Sequence, residues 1–375
     1  MKALLAGGGT GGHVYPALAI AKELAHRHPD WDIQFAGRHD SIEGKVVPED
    51  GFELNELYVS GFERYYSGLK KAKVVFRTAK SMSDSFRLLS RLKPNIVIGT
   101  GGYISGPIVL AAHLRRIPTL ICEQNVIPGF TIKTLSRFAD IICLPFEEAR
   151  AYMKRKERCV LTGNPVRREF ALYDRFLARR TFGIGERELL VVSFGGSLGA
   201  KSINDAVYGL IPFLRMKGAR LVHITGRSSY SAFAERMAAD PQMAGIGKNI
   251  QILAYTNEMP ALLNAADLVI GRSGAMTVSE INYVGVAAIY VPLPTAVFDH
   301  QTKNAQYCVD NGAAAIIEDA RLTAQSLKEL VAQLLEEKGM LSKMGEASKA
   351  IGIPDSSERI AIQAESLLGL RGKES

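Results

Sequence analysis

Short runs of apolar, often β-branched residues alternate along the chain with helical stretches of about ten to twenty residues. Strands that are buried on both faces of a parallel sheet give such runs, and crossover helices connect them. The first half therefore predicts strands at 3–6, 32–36, 95–99, 118–122 and 141–144, with helices at 15–28 and 74–92. These elements form one doubly wound α/β domain.

A second series of the same kind follows the turn-rich segment 162–165. It predicts strands at 189–194, 221–225, 267–270, 287–291 and 314–317, and helices at 324–336 and 356–368. We expect a first domain over 1–163, a second over 164–350, and a C-terminal helical segment over 351–370. That segment either continues the second domain or crosses back to the first.

Composition supports an ordinary folded protein. The chain has 375 residues, of which 47% are hydrophobic and 22% charged, a length that suggests two domains with a cleft. Its four cysteines show no C-x-x-C pairing, which argues against a zinc or disulfide framework and favours a reducing cytoplasm. The chain contains no apolar segment long enough to predict a signal peptide or a membrane span. The net charge of +8 suits nucleic acid, nucleotide phosphates or an anionic membrane alike.

The first candidate site is the glycine-rich segment Gly7–His13, which lies between a predicted strand and a predicted helix. Glycines let a backbone approach a ligand closely, and the start of a helix favours an anion such as a diphosphate. A tight turn that binds nothing is the alternative. The segment also fits G-x-G-x-x-G, the pattern of a dinucleotide-binding turn in dehydrogenases. However, the second strand ends in Ala36-Gly37-Arg38, without the acidic residue that binds the ribose, so the dehydrogenase interpretation is weak.

The second half repeats this arrangement. Strand 189–194 continues into Gly195–Ala200 and then into a helix. A third turn, Gly271–Gly274, precedes Ala275–Glu280 at the start of another helix. Glu280 either accepts hydrogen bonds from two ribose hydroxyls or interacts with the helix dipole, and the residues alone leave both interpretations open.

Seven segments in order resemble those of the MurG enzymes, which transfer N-acetylglucosamine to the undecaprenyl-pyrophosphoryl-muramoyl-pentapeptide precursor of bacterial peptidoglycan. The segments are GGTGGH at Gly8–His13, GGYISGP at Gly101–Pro107, CEQN at Cys122–Asn125, GNPVR at Gly163–Arg167, GGSLGA at Gly195–Ala200, RSGAMTVSE at Arg272–Glu280 and DHQTKNA at Asp299–Ala305. The resemblance implies a GT-B fold, in which two Rossmann-like domains face a cleft. The C-terminal domain would hold UDP-N-acetylglucosamine and the N-terminal domain the lipid acceptor.

The resemblance also implies which residues bind each substrate. Donor-binding residues would be Thr10, Gly11, Gly12, Asn125, Arg167, Ser197, Thr256, Ala275, Met276, Thr277, Glu280 and Gln301. Acceptor-binding residues would be Gly9, Thr10, His13, Tyr103, Ser105 and Asn125. Because the first glycine turn belongs to the acceptor domain, we expect it to face the lipid pyrophosphate rather than UDP.

The reaction needs a base that takes a proton from the 4-hydroxyl of the acceptor. His13 is the first choice because the ordinary pKa of histidine is near neutral, with a structural capping role as the alternative. Glu123 and Asn125 are the competitors for this role. Cys122, just before them, stands where the family has histidine. Inversion needs one displacement and no covalent intermediate.

We expect no essential metal, and a divalent cation at most as a non-essential addition, because helix dipoles and Arg167 meet the charge of UDP. The triplet Asp30-Trp31-Asp32 matches the D-x-D pattern of metal-dependent transferases. It lies at the start of the second strand, away from the edge where ligands bind, so a solvated turn is the better interpretation.

Basic and apolar residues alternate next to the aromatic residues Phe62, Tyr65 and Tyr66. These candidate membrane-binding residues are Leu69, Lys70, Lys71, Lys73, Val75 and Phe76. Such a mixture suits an anionic leaflet, although a helix that packs its apolar side inward is the alternative. We expect a peripheral protein on the cytoplasmic face of the bacterial plasma membrane, with no nucleic-acid partner and with roles in cell-wall synthesis, cell shape and division.

Three other functions remain open at this stage. A UDP-sugar transferase acting on another lipid, such as diacylglycerol, would differ in acceptor assays. A UDP-N-acetylglucosamine epimerase would act without an acceptor. A non-catalytic nucleotide-binding regulator would bind UDP without turnover.

Overall fold

The computed structural model describes residues 1–57, 59, 69–196, 199–243, 245, 247 and 249–370. In the stretch 69–196, side chains are described from residue 79 onward. The chain divides into two compact units. Met1–Arg167 and the residues from Ile353 onward form unit 1, and Arg168–Gly352 forms unit 2. The division lies between Arg167 and Arg168, a few residues beyond the predicted boundary at 163.

The described residues of unit 1 form a seven-stranded parallel sheet in the order β3-β2-β1-β4-β5-β6-β7. In chain order, its elements before the boundary are β1 (Lys2–Gly7), α1 (Gly11–Arg27), β2 (Asp32–Gly37), α2 (Ile42–Glu49), β3 (Glu53–Glu56), α3 (Leu69–Leu92), β4 (Ile96–Gly101), α4 (Gly102–Leu114), β5 (Thr119–Cys122), α5 (Phe130–Leu135), β6 (Ile141–Leu144) and β7 (Cys159–Leu161).

Helices cover both faces of this sheet because successive side chains of a strand point to opposite sides. In β1, Leu4 and Ala6 join a core with residues of α3 and α4, whereas Ala3 and Leu5 join a core with residues of α1. All four side chains are fully buried. This two-sided burial explains why the central strands read as continuous apolar runs.

The described residues of unit 2 form a six-stranded parallel sheet in the order β10-β9-β8-β11-β12-β13. Its elements are α6 (Arg175–Thr181), β8 (Leu190–Phe194), α7 (Lys201–Met216), β9 (Arg220–Ile224), α8 (Tyr230–Ala239), β10 (Ile250–Leu253), α9 (Met259–Ala265), β11 (Leu268–Gly271), α10 (Ala275–Val284), β12 (Ala287–Tyr290), α11 (His300–Asp310), β13 (Ala314–Ile316), α12 (Ala324–Glu336) and α13 (Met340–Ile351).

The last helix, α14 (Ser356–Leu367), belongs to unit 1. Its buried face, which includes Ile360 and Ala364, joins the core on the α1 side of the sheet. Arg27 of α1 donates two hydrogen bonds to the Glu365 carboxylate, over 2.7 and 3.0 Å. The C-terminal segment thus crosses back to the N-terminal half of the chain instead of continuing unit 2.

Several boundaries differ from the predictions. Helix α1 begins at Gly11 rather than residue 15, and α3 begins at Leu69 rather than residue 74. The sequence did not predict β3, β7 or β10, and each of these is a strand at the edge of its sheet. Within the described residues, no helix is long and apolar enough to span a bilayer.

Candidate active site

Each sheet carries a glycine turn at the strand where its order reverses. In unit 1 the chain passes from β1 to β2 on one side and later to β4 on the other, and in unit 2 β8 takes the same place between β9 and β11. Ligands of open α/β sheets bind outside the carboxyl ends of the strands at this point. The topology thus makes the turns after β1 and β8 the candidate ligand-binding segments of their units.

The turn after β1 admits only glycine at several positions. A Cβ at Gly7 would lie 1.9 Å from Thr100 Oγ1, and one at Gly9 would lie 2.4 Å from the ring of Tyr103. Gly9 also has a φ of 85°, in the left-handed region that favours glycine. Glycine is therefore required at positions 7 and 9 by close packing against the neighbouring segment, whatever the turn binds.

His13 lies in the first turn of α1, because that helix begins at Gly11. Its Nδ1 is 3.0 Å from the Thr10 hydroxyl, and Thr10 is the extended residue that precedes the helix. No side chain caps this helix start, so the first backbone N–H groups of α1 carry the partial positive charge of the dipole. The structure thus brings together Thr10, Gly11, Gly12 and His13, four residues with predicted substrate contacts.

The loop after β4 forms the wall beside His13. Gly101 and Gly102 both have positive φ values, of 101° and 77°. A Cβ at Gly101 would lie 2.8 Å from Cδ2 of the His13 ring, and one at Gly102 would lie 3.2 Å from its Nδ1. The Thr100 hydroxyl donates to the His13 carbonyl over 2.7 Å. Two glycines therefore make room for the imidazole, and a threonine holds its backbone.

Glu123 does not fit the expected role of a competing base. The side chain is only 3% exposed, and its carboxylate accepts hydrogen bonds from the backbone N–H groups of Gln124, Asn125 and Gly129 over 2.8, 2.9 and 3.0 Å. Burial raises the pKa of the Glu123 carboxyl, and these hydrogen bonds oppose the rise. Because both oxygens already bind the loop, Glu123 shapes the segment that carries Asn125.

Gln124 was not among the predicted site residues, yet its side chain and the His13 ring both approach Gly101. Its Oε1 is 3.6 Å from the position of a Cβ at Gly101, which the His13 ring also approaches. Its carbonyl accepts a hydrogen bond from Asn164 over 2.8 Å. Gln124 and His13 thus flank the same glycine.

Ser105 also departs from its predicted contact with the acceptor. It is fully buried, and its hydroxyl lies 2.5 Å from the Ala6 carbonyl and 2.7 Å from the Gly101 carbonyl. This position ties α4 to β1 and leaves no surface for a substrate. Tyr103, by contrast, is partly exposed beside Gly9, and burial of its phenol raises the pKa of Tyr103.

In unit 2, the turn after β8 is held by the end of β9. Gly199 has a φ of 78°, and a Cβ there would lie 2.1 Å from the Thr225 carbonyl. Asn204, in the first part of α7, donates to that carbonyl over 3.0 Å. Ser197, the predicted diphosphate contact, lies outside the described residues.

Helix α10 begins next to this turn in the sheet order, after β11. The predicted donor-binding residues Ala275, Met276, Thr277 and Glu280 lie in its first two turns and are partly exposed. No side chain caps its start at Gly274. An uncapped helix start that carries small side chains can bind a phosphate through its backbone N–H groups.

Two other predicted donor residues have structural partners within unit 2. The Gln301 side chain accepts from the Leu293 N–H over 3.0 Å, and its carbonyl accepts from Ser273 over 2.8 Å. Thr256 accepts from the Glu258 N–H over 2.9 Å in the segment after β10. Arg167 is the last residue of unit 1, so its predicted contact with the donor diphosphate stays a prediction.

No group of three or more His, Cys, Asp or Glu side chains suited to a metal ion occurs among the described residues. Asp32 of the D-x-D triplet is the first residue of β2, at the amino ends of the strands, whereas the glycine turns lie at the carboxyl ends. It forms an ion pair of 2.9 Å with Lys2. The hydrogen bond from Lys2 contributes to lowering the pKa of Asp32 against the effect of burial. Asp32 thus has a structural partner at the start of β2.

Comparison with known proteins matches both halves of the chain. The model of the glycosyltransferase family 28 N-terminal domain covers residues 3–143, and that of the family 28 C-terminal domain covers residues 190–360. A relative from Desulforudis audaxviator is 42% identical over 98% of this chain and 99% of its own length, and is named UDP-N-acetylglucosamine--N-acetylmuramyl-(pentapeptide) pyrophosphoryl-undecaprenol N-acetylglucosamine transferase. The chain belongs to the MurG family.

Solved structures of similar fold agree with this membership. The crystal structure of MurG from Acinetobacter baumannii has a TM-score of 0.77 and 30% identity, over 97% of this chain and 99% of that one. A UDP-GlcNAc 2-epimerase from Neisseria meningitidis, solved with UDP-GlcNAc, has a TM-score of 0.68 at 15% identity over 98% and 100%, a likeness of fold alone. The predicted GT-B fold of two parallel-sheet α/β domains is confirmed.

Within this MurG-family chain, the sequence alone missed two groups that shape the candidate site around His13. Glu43 accepts hydrogen bonds from the Gly9 and Arg38 N–H groups, and Thr100 holds the His13 backbone. Glu43 lies outside the glycine-rich turns, and Thr100 directly precedes the GGYISGP segment. The spacing of buried polar residues after predicted strands was the one available signal, and it is too common to single them out.

Proposed function

We propose that this protein transfers N-acetylglucosamine from UDP-N-acetylglucosamine to the 4-hydroxyl of a lipid-linked N-acetylmuramoyl-pentapeptide, with inversion at the anomeric carbon. The observation that carries the proposal is the near-full-length identity of 42% to a relative named for that transfer. A second relative, from Lactiplantibacillus plantarum, carries the same name at 36% identity over 98% of this chain. Transfer to another lipid and epimerisation are not favoured, because the epimerase likeness extends to the fold alone.

His13 is the proposed base, in the tautomer that carries its proton on Nδ1 and that the nearby Thr10 hydroxyl can accommodate. With the proton on Nδ1, the imidazole donates to Thr10 Oγ1 over the observed 3.0 Å. The lone pair of Nε2 then accepts the proton of the acceptor 4-hydroxyl while the hydroxyl oxygen attacks the anomeric carbon. The bond from that carbon to UDP breaks in the same displacement, so no covalent sugar–protein intermediate forms.

The departing UDP is stabilised on the unit 2 side by backbone N–H groups. Helix α10 starts without a side-chain cap, and Glu280 follows in its second turn as the proposed ribose contact. Preorganised dipoles of this kind meet the charge that develops on the leaving diphosphate. We therefore propose that the reaction needs no essential metal and that a divalent cation has at most a supplementary effect.

The proposed acceptor has a lipid tail, so we propose that the protein works at the cytoplasmic face of the bacterial plasma membrane, within peptidoglycan synthesis. The candidate membrane-binding residues lie in the first turns of α3. Their side chains, from Leu69 and Lys70 to Val75 and Phe76, fall outside the described part of the structure. The sequence pattern of lysines and apolar residues is what supports this location.

The decisive experiment supplies radiolabelled UDP-N-acetylglucosamine and a short-chain lipid-linked muramoyl-pentapeptide, with and without excess EDTA, and measures disaccharide product. Wild-type protein forms it under both conditions. His13→Ala lowers kcat by about 10²- to 10⁴-fold, because general-base catalysis contributes about that factor, and leaves UDP affinity unchanged.

The control is His26→Ala, which removes an exposed histidine from the same helix and keeps full activity. Full activity in His13→Ala would contradict the proposed base. An isomerised UDP-sugar formed without acceptor would instead identify an epimerase.

A further inference from the structure

The structure contains a buried carboxylate directly beneath the first glycine turn. Glu43 lies on α2 and is only 1% exposed. Its Oε2 accepts a hydrogen bond from the Gly9 N–H over 3.1 Å, and its Oε1 accepts one from the Arg38 N–H over 3.4 Å. One side chain thus joins the turn after β1 to the residue that follows β2.

Two glycines make the space that this carboxylate fills. A Cβ at Gly8 would lie 2.6 Å from Glu43 Oε1, and a Cβ at Gly37 would lie 2.7 Å from its Cγ. Both distances are far shorter than a van der Waals contact, so any larger residue at either position would displace Glu43. Close packing against Glu43, together with Ile104 beside Gly8 and Leu54 beside Gly37, therefore requires glycine at both positions without any ligand.

A buried carboxylate is costly unless hydrogen bonds satisfy it, and losing the bonds leaves its partners unpaired. Here the partners are backbone amides of the candidate site. The bond to Gly9 fixes a residue at a φ of 85°, and Thr10 and the first turn of α1 follow immediately. The orientation of Thr10 and His13 consequently depends on the position of the Gly9 peptide.

We propose that Glu43 is a positioning residue, which holds the glycine turn so that Thr10 and His13 are aligned for proton transfer. The inference rests on the proposed function for its kinetic consequence. It also limits where an acceptor phosphate binds. Since the Gly9 N–H donates to a carboxylate, it is not available to an anion, and the amides of Gly11 and Gly12 at the start of α1 are the better candidates.

The test compares Glu43→Gln with Glu49→Gln, an exposed glutamate at the end of the same helix. Glutamine has nearly the same size, but its amide nitrogen cannot accept a hydrogen bond, so one of the two backbone donors loses its partner. We expect kcat to fall about ten- to a hundredfold in Glu43→Gln, the range of one hydrogen bond to a charged group. The KM for UDP-N-acetylglucosamine stays at the wild-type value, and Glu49→Gln behaves as wild type.

A double-mutant cycle with His13→Ala separates positioning from a general loss of folded protein. If Glu43 acts through His13, Glu43→Gln has little further effect on the residual activity of His13→Ala. Multiplicative losses in the double variant would overturn the proposal, and so would wild-type kcat in Glu43→Gln.

Amide hydrogen exchange gives a readout that does not depend on the reaction. Peptides that contain Gly9 or Arg38 exchange about tenfold faster in Glu43→Gln than in Glu49→Gln, because a protecting bond is lost. Unchanged exchange would show that Glu43 does not hold the turn. If wild-type protein formed no disaccharide, the proposed function would fail, while this measurement would still decide whether Glu43 fixes the turn.

Discussion

The imidazole of His13 lies where two glycines of a different loop make room for it. Gly101 and Gly102 belong to the junction of β4 and α4, far from His13 in sequence. A side chain at either position would meet the His13 ring. The position of the His13 ring thus depends on the absence of side chains in a neighbouring segment.

A second histidine, His223 on β9, is fully buried and gives a pH prediction at the residue scale. Its Nδ1 is 2.7 Å from the Ser193 hydroxyl, and burial lowers the pKa of His223 from 6.5 to about 4. Below the unfolded pKa, the unfolded chain binds a proton that the folded chain excludes. The free energy of unfolding is therefore undiminished by His223 above about pH 6.5. It falls by ~1.4 kcal/mol per pH unit down to about pH 4, a loss of ~3 kcal/mol in all.

We expect His223→Gln to remove this part of the pH dependence. Calorimetry between about pH 7.5 and about pH 4.5 measures it as the difference in Tm of the unit 2 transition between the variant and the wild type. The exposed His26→Gln serves as the control. Parallel Tm curves for wild type and His223→Gln would contradict the prediction.

Among the elements, edge strands and the last helix carry the main differences from expectation. The missed strands β3, β7 and β10 lie at sheet edges, where a strand has a neighbour on one side only. β3 reads Glu-Leu-Asn-Glu, with its two glutamates exposed. Periodicity finds strands buried on both faces and gives a weaker signal for a short edge strand with exposed polar residues, such as β3.

The docking of α14 on α1 gives a prediction at the element scale. Burial works against ionisation of Glu365, but hydrogen bonds from Arg27 and His28 hold the pKa of its carboxyl below the ordinary value. We expect Glu365→Gln to destabilise unit 1 by about 2 kcal/mol, because a charge-assisted pair is lost. Thermal unfolding of unit 1 and amide exchange in α14 measure the effect.

Glu358→Gln is the matched control on the same helix. Glu358 also faces Arg27, but at 3.5 Å and with 53% of its side chain exposed, so its removal costs less than about 0.5 kcal/mol. Because the folded pKa of Glu365 is lowered, its contribution is present above the ordinary pKa and is lost as the pH falls through the lower folded value. Equal effects of the two variants would argue against a specific clamp.

At the scale of the whole molecule, the two units repeat one plan. Each has a parallel sheet whose order reverses at a strand followed by a glycine turn and a helix. The predicted acceptor groups around His13 belong to unit 1, and the uncapped α10 belongs to unit 2. We propose that the same local arrangement binds the acceptor in unit 1 and the donor in unit 2.

We expect the lysines at the start of α3 to attract the whole protein to anionic membranes. Replacing Lys70, Lys71 and Lys73 with glutamate should lower binding to anionic liposomes roughly a hundredfold or more, since each lysine near the surface contributes about 1 kcal/mol. UDP affinity should stay unchanged. Flotation with liposomes of defined anionic lipid content measures the binding.

A triple variant of Lys45, Lys154 and Lys156 to glutamate changes the net charge equally, at exposed sites elsewhere in unit 1, and should retain most binding. Equal loss in both variants would mean that total charge, rather than the start of α3, attracts the protein to the membrane.

The two parallel sheets, the glycine turns and the family could be predicted from the sequence, because buried strands and phosphate-type turns leave local patterns. The other features depend on the tertiary structure. Glu123 and Ser105 are buried, and their side chains are hydrogen-bonded to the surrounding backbone. Helix α14 belongs to unit 1, and the Glu43 carboxylate contacts the Gly9 N–H. These outcomes depend on which segments meet across the sheet, and contacts between distant segments leave no periodic signal in the chain.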